Sequence, residues 1–413
     1  MTILIITSSS GGGHLAGAKA MQEKVLREQP EISPTFVQKD LLKDWLPGLI
    51  GRFKTNLWNQ AQMQGNVSFL NWMGSRQRCI DALLSLPVFW GLFSFLKTRH
   101  PERVIDTQPL ATKALIAAIR LYNRLYRKNL VLEKVMTDPP SAKAVHFLPR
   151  IKRLSKKDRY LLRLITTDPI LEPQETSVEF WEKHTKLSMK HITTLPFLVR
   201  EGFLPYIEKK REMDEDVLIS FSYKTPQERN RLEILADTDP RLQLQKNTFS
   251  LFVEKNAVLI TILLGFRAPK KSLLSYVQAL IDVGCVHKYR RIYAIVCCGE
   301  NRALQTEIWE KYSRKKGINT TILPVSNQQS STIGALFHRS DIICTKSGGQ
   351  TTMELFAVAT TGQICIHTEH KEGLIKGIPC WEAANADYLR RKKGASIVNP
   401  PVFHDYLHDF FSE

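Results

Sequence analysis

The chain opens on an unbroken apolar run, Ile3 to Ile6, and polar residues return only at Thr7 and Ser8. A short continuous apolar run closed by a turn signal predicts a strand buried on both faces. The Gly-rich turn that follows and the apolar periodicity over residues 15–27 predict a helix. Residues 104–106 and 130–137 repeat the strand pattern, with a helical pattern over 111–126 between them. Strand–helix–strand alternation implies a parallel sheet with right-handed crossovers. A second series of the same design fills the other half of the chain. Strands are predicted over 257–264, 291–298, 320–323, 341–345 and 364–367, with helices over 273–283 and 304–315. Residues 218–255 fit neither series. A linker is placed near Pro196 to Pro205, ahead of the charged stretch 208–216. The expected division is a domain of residues 1–200, a second of residues 201–395, and a tail of residues 396–413 with helical character.

Length agrees with that division, since 413 residues suit two domains of about 200 residues each. The seven cysteines, at 79, 285, 297, 298, 344, 365 and 380, form no CxxC pair and no Cys/His ligand spacing. That usage points to a reducing compartment and away from a structural zinc site. The first apolar run is short and has no basic segment before it, so no secretory signal is expected and a cytoplasmic location is. The net charge of +18 calls for anionic partners: acidic lipid surfaces, phosphorylated substrates or nucleic acid.

One region breaks the pattern. Trp45, Trp58, Trp72 and Trp90 gather four of the seven tryptophans, and residues 82–96 are nearly all apolar. Pro87, Gly91 and the shortness of this run count against a membrane-spanning helix, which needs about 20 residues. Two readings stay open: a core helix pair with aromatic filling, or an interfacial face that dips into lipid. The stretch from Arg150 to Arg159 offers a basic patch compatible with the second.

Three motifs carry chemistry. Ser8-Ser9-Ser10-Gly11-Gly12-Gly13-His14 lies between the first strand and first helix. Glycines there let the backbone approach a ligand, and the helix N-terminus favours an anion. No Gly-Lys-Ser/Thr follows, and the spacing is not GxGxxG, so neither a Walker loop nor a dinucleotide fingerprint is present. His14 is a candidate base or substrate contact, or simply a surface imidazole at the helix start. Thr345-Lys346-Ser347-Gly348-Gly349-Gln350-Thr351-Thr352-Met353-Glu354 repeats the strand–glycine–helix design near the other end. Glu354 suits hydroxyl hydrogen bonds, and Thr351 to Glu354 also fits a capping box. Glu382 and Asn385 then stand three apart on one helical face.

Together these islands resemble glycosyltransferase family 28, which holds MurG-type and monogalactosyldiacylglycerol-synthase-type enzymes. Shorter matches agree: Asp106-Thr107-Gln108-Pro109-Leu110 resembles the family's S-T-H-P strand end, and Val135-Met136-Thr137-Asp138 its V-T-D segment. Leu195-Pro196-Phe197-Leu198-Val199-Arg200-Glu201-Gly202-Phe203 resembles the G-x-P-V-R-x-x-F stretch between domains. The resemblance implies an α/β GT-B fold, two Rossmann-like domains facing a central cleft. It implies a UDP-sugar donor held by the second domain and an inverting transfer to a lipid-linked or membrane acceptor. Gly348 and Gly349 would meet the diphosphate, Glu354 the ribose, and Glu382 and Asn385 the sugar, with Gln350 and Thr351 also in the donor site. Gly11, Gly12 and Gly13 would border the acceptor side, with His14 or Asp138 as base. No metal or other cofactor is implied, because helix dipoles and amides would stabilise the departing UDP. The partners expected are a nucleotide-sugar and an anionic membrane surface at the inner face of a membrane, rather than nucleic acid.

The chain departs from the family in three places. Cys380-Trp381 replaces a Gly-Gln pair whose Gln meets the sugar. The loop over residues 368–378 is longer and carries Lys371 and Lys376. Gly265-Phe266-Arg267 replaces a small turn, so Arg267 either contacts phosphate or fills space. These leave two alternatives to the transferase: a UDP-sugar 2-epimerase of the same fold, or a degenerate scaffold that binds anionic lipid or RNA.

Overall fold

In the computed structural model, which describes residues 1–9, 12–46, 48–142, 147–207, 209, 215–287, 289–312, 319–358 and 362–412, the opening apolar run is a buried strand. It is β1 (Thr2–Thr7), followed by α1 (Gly12–Glu28), β2 (Thr35–Asp40), α2 (Gly48–Met63), α3 (Val67–Ser75) and α4 (Gln77–Arg99). Then come β3 (Arg103–Asp106), α5 (Thr112–Tyr126), β4 (Leu132–Val135), α6 (Leu148–Lys152) and α7 (Lys156–Arg159). β5 (Leu162–Thr166), α8 (Ser177–Thr185) and β6 (Ile192–Thr194) complete the first half. All six strands are parallel, in the order β2-β1-β3-β4-β5-β6. The chain therefore reverses its direction of travel across the sheet between β1 and β3. Ligands gather beyond strand ends at such a switch. The turn after β1 and the segment from Asp106 both sit there.

The second half begins with the stretch that fitted neither series: β7 (Val217–Ser222), α9 (Pro226–Ala236), β8 (Leu242–Leu244) and β9 (Thr248–Val253). These strands form a small antiparallel sheet, β7-β9-β8. Ile219 and Phe221 alternate inward from β7 and pack with Tyr293 and Ile295 of the main sheet. One face alone is buried, so the run alternates in place of the continuous apolar pattern of a parallel strand.

The main second sheet contains β10 (Val258–Leu263), β11 (Ile292–Cys297), β12 (Thr320–Val325), β13 (Ile342–Thr345), β14 (Gln363–His367) and β15 (Ser396–Val398). Its helices are α10 (Lys270–Val286), α11 (Arg302–Lys311), α12 (Ser330–Arg339), α13 (Gly349–Ala357), α14 (Ala383–Lys393) and α15 (Pro400–Ser412). The order is β12-β11-β10-β13-β14-β15, all parallel, so the switch lies between β10 and β13. The segments from Gly265 and from Lys346 leave the sheet at that crevice. Residues 396–412 are no tail. β15 pairs with β14, and Phe403, Leu407 and Phe411 share a core with Leu273, Val277 and Leu280 of α10. The four-residue spacing of those three apolar side chains makes the stripe that buries α15.

Two Rossmann-like domains thus face each other across a cleft, the GT-B arrangement that the motifs implied. The linker joins them closely: Leu198 and Met353 of α13 share a core with Ile3, Ile5 and Val25.

The Trp-rich region buries one face and leaves another exposed. α4 is longer than the apolar run alone indicated, and by length and composition Cys79–Arg99 is apolar enough to cross a membrane. Leu84, Val88, Leu92 and Leu96 form a fully buried stripe within the first domain's core. Asp81 pairs with Arg150 at 2.6 Å and accepts the Ala111 N–H at 3.0 Å. The opposite face exposes Leu83, Leu86 and Trp90 by more than half. Leu92→Ala is expected to cost about 2–5 kcal/mol in urea unfolding, whereas Leu86→Ala changes stability by about 0.5 kcal/mol or less; equal losses would remove the distinction between the two faces.

Candidate functional site

The second domain offers an open helix end. Thr345, the last residue of β13, donates its hydroxyl to Leu263 O at 2.8 Å and ties the two switch-point strands together. Gly348 is the N-cap of α13 and no side chain caps that end. The capping box read into Thr351 to Glu354 is not formed, because Glu354 is turned to another partner. The N–H groups of Gly349, Gln350 and Thr351 therefore meet the cleft without a side-chain acceptor, next to the positive end of the helix dipole. Gly349 is required by crowding: a Cβ there would collide with the Asp138 carboxylate and Thr137 O of the first domain. Lys346 lines the same cavity and forms no ion pair among the described residues. Burial lowers its ammonium pKa, against the pull of Glu382 and Glu369.

The first domain brings its own chemistry to within contact. His14 stands in the first turn of α1, its Nδ1 3.4 Å from Thr137 Oγ1, while Thr107 Oγ1 donates to His14 O at 3.2 Å. Burial brings the imidazole pKa down to about 4; the Thr107 bond works against that shift and Lys134 adds to it. His14 is therefore neutral through the physiological range, able to take a proton but weakly basic. Lys134 is itself fully buried, paired with Asp106 at 2.5 Å and bonded to Gln108 O. Asp138 follows β4. Burial raises its carboxyl pKa, and the bonds from Asn385 and Thr137 offset part of that rise. Glu382 lines the same cavity, its carboxyl also raised by burial, with Lys346 opposing and Asp138 reinforcing the shift.

Several side chains do other work than their motifs indicated. Asn385 Nδ2 donates to Asp138 Oδ1 and to Ser347 O, both at 3.0 Å, so it bridges the domains and orients the carboxylate. Gln350 Nε2 donates to Leu198 O at 2.8 Å and to Glu354 Oε1 at 3.2 Å, facing the linker. Glu354 is 2% exposed and receives a two-pronged bond from Arg200, Nε to Oε1 at 2.7 Å and Nη2 to Oε2 at 2.9 Å. With three donors already on it, the carboxylate keeps little capacity for a ribose. Arg267 pairs with Glu300 at 3.0 Å and lies over the Phe266 ring, at the cavity's edge. Gly12 and Gly13 line the cavity, and Gly12 lies against Phe266 of the opposite domain. Gly11 falls outside the described residues.

One cavity of about 270 Å³ joins these groups. Its lining includes Phe266, Gly299, Ser326, Ile333 and Phe337, apolar and small surfaces suited to a flat aromatic ring. The open end of α13 and Lys346 line it too and are suited to an anion. His14, Asp138 and Glu382 share the lining with Trp58, Leu70 and Trp381. Among the described residues no group of three or more His, Cys, Asp or Glu is placed to hold a metal ion. Reading the motifs missed three participants: Arg200 as the partner of Glu354, Lys346 as an unpaired cation, and Trp58. Arg200 and Lys346 lie inside quoted motifs and were legible as charges; nothing in the sequence connects Trp58 to residue 381.

No family model matches the chain, and no curated protein does. Among solved structures, 134 chains match. MurG of Acinetobacter baumannii is 12% identical, with 100% of this chain and 89% of that one covered and a TM-score of 0.47. Arabidopsis thaliana UGT89C1, complexed with UDP-L-rhamnose, is 12% identical, with 100% and 89% covered and a TM-score of 0.48. The UDP-GlcNAc 2-epimerase of Neisseria meningitidis, bound to UDP-GlcNAc, is 11% identical, with 100% and 99% covered and a TM-score of 0.42.

Removing one member of the Arg200–Glu354 pair leaves a mostly buried charge alone. Glu354→Ala is expected to destabilise by about 3–5 kcal/mol, while Glu354→Gln, which still accepts hydrogen bonds, costs clearly less. Thermal unfolding of both variants checks this; equal melting points for Ala and Gln would show that the pair does not hold the linker.

Proposed function

We propose that the protein is an inverting glycosyltransferase that moves a sugar from a UDP-sugar to a lipid-linked or membrane acceptor. One observation carries the reading: a single cavity sets an uncapped helix end and a lysine with no ion pair among the described residues, from one domain, against a desolvated carboxylate from the other. The first pair suits the negative charge of a diphosphate. The carboxylate is a base held a short distance beyond it.

The surface lined by Phe266 and Phe337 takes the uracil ring, and the amides of Gly349, Gln350 and Thr351 take the diphosphate with Lys346. Glu382, its pKa raised, meets a hydroxyl of the sugar. In the reaction an acceptor oxygen attacks the anomeric carbon as the bond from that carbon to the phosphate oxygen breaks. The acceptor's proton passes to Asp138, and UDP leaves with the electron pair and the added negative charge. Fixed amides and a desolvated ammonium stabilise that charge strongly, because they need no reorganisation. A single displacement inverts the anomeric centre. His14, neutral and within reach of Thr137, positions the acceptor hydroxyl. Arg200 holds Glu354, and with it the helix that carries the amides.

The acceptor class rests on the first domain's surface. Leu83, Leu86 and Trp90 of α4, with Phe53 and Trp72 of the neighbouring α2 and α3, are each more than half exposed. Arg76 lies 4.8 Å over the Trp72 ring. Apolar and aromatic side chains beside cations, on a chain of net charge +18, fit an anionic bilayer surface. α4 keeps its other face in the core, so the protein lies on the membrane and does not cross it. A 2-epimerase needs the same donor site but no such face.

Asp138→Asn is expected to lower kcat by about 10²–10⁴-fold in a UDP-release assay with membrane extract as acceptor. Because the base works ionised and its pKa is raised, wild-type activity should fall as pH drops through a value above the ordinary aspartate range. Turnover that survives Asp138→Asn, or conversion of the UDP-sugar to its 2-epimer without any acceptor, would replace this assignment. The membrane claim has its own check. Wild type should float with vesicles containing anionic lipid at low salt, and Leu83→Ser/Leu86→Ser/Trp90→Ser should stay at the bottom; flotation of both, or of neither, rejects the apolar face as the contact.

A further inference from the structure

One part of the cavity lining is built jointly by the two domains, at the position where the family's glutamine is replaced. Trp381, between β14 and α14, stacks on Trp58 of α2 with ring centroids 5.2 Å apart and planes at 25°. Two further neighbours, Gly74 and Asn71, are also in the first domain. A Cβ on Gly74 would stand 3.1 Å from Trp381 Cζ3, so α3 must present a bare backbone to the indole. Asn71 Oδ1 accepts the Cys380 N–H at 2.9 Å, which fixes the backbone just before Trp381. Trp58, Leu70 and Trp381 line the cavity beside Glu382. Among the described residues the buried indole N–H of Trp58 has no hydrogen-bond partner.

Resting on the nucleotide-sugar reading, we infer that Trp58 is a specificity-determining residue for the donor sugar, and that Asn71 positions Trp381 beside it. The pair forms an aromatic wall for one face of a pyranose ring. The chain thereby replaces an amide contact from the second domain with an aromatic contact shared by both. The wall shares its stretch of cavity lining with Glu382, the residue assigned to a sugar hydroxyl, so it is assigned to the sugar and not to the UDP. Sugar recognition then requires the two domains to be in contact, whereas UDP recognition does not.

The test is a comparison of UDP with UDP-sugars by isothermal titration on the full chain. Wild type is run against UDP, UDP-glucose, UDP-galactose and UDP-N-acetylglucosamine, and the tightest-binding sugar nucleotide is carried forward. Trp58→Ala is expected to weaken that sugar nucleotide about tenfold or more and to leave UDP within about twofold, the margin set by ordinary surface substitutions. Trp58→Phe, which keeps the stack and removes the N–H, should recover part of the loss. Asn71→Ala should show the same selective loss through Trp381, with KM raised more than kcat is lowered. Equal weakening of UDP and UDP-sugar, or no change in either, overturns the inference. If Trp58→Ala fails to fold, Trp58→Phe and Asn71→Ala decide by the same criterion. A wild type that binds neither UDP nor any UDP-sugar sinks the proposed function itself, which is a different result.

Discussion

A bidentate ion pair between Arg200 and Glu354 holds the linker against α13, the helix whose uncapped N-terminus lines the cleft. Its carboxylate is buried and its guanidinium mostly so, and such a pair is stable only with good geometry and further hydrogen bonds. Gln350 provides these, joining Glu354 to Leu198 O, while Glu201 N donates to Glu23 of α1 at 2.6 Å. One short stretch of chain is thus bonded to both domains. The consequence is geometric. α13 can present its uncapped end to the cleft only while Glu354, one turn along, is anchored behind it.

Desolvation of the cleft decides the chemistry of what faces across it. The same burial raises the carboxyls of Asp138 and Glu382 and lowers His14 and Lys346. These shifts bring acids and bases whose free pKa values lie far apart towards one another, which is how a site comes to hold proton acceptors and donors together. A diphosphate entering this cluster adds negative charge beside Lys346. It would favour the ammonium and disfavour nearby carboxylates, so donor binding and the protonation of Asp138 and Glu382 are linked.

The first domain carries two surfaces on neighbouring helices. α2 turns Trp58 into the cleft and Phe53 outward; α3 turns Asn71 and Gly74 to the second domain and Trp72 outward. Within the window of α4 that is apolar enough to span a membrane, only 22% is buried. That helix carries apolar residues on both faces, one stripe serving the core and the other left outside. A pattern that looks like a buried helix by composition is thereby also an exposed one, and hydropathy alone does not separate the two.

Parallel strands, their crossovers and the two glycine turns were legible in the sequence, because strands buried on both faces read as continuous apolar runs bounded by turn residues. The open helix start at Gly348 to Thr351 was legible for the same local reason: a helix start after a strand leaves amide groups free unless a side chain caps them. Residues 218–255 were not, and residues 396–412 only in their helical character. The first alternates because one face is wet, and the second gains its strand and its place in the core by packing on β14 and α10. Pair relations lay further out of reach. That Glu354 takes Arg200, that Asn385 takes Asp138, and that Trp381 takes Trp58 depends on side chains far apart in the chain, up to 323 positions in the last case. Local pattern specifies which residues can form a strand, a turn or a charge. Which charge is neutralised, which carboxylate is desolvated and which indole meets another is set by how two separately folded sheets come together.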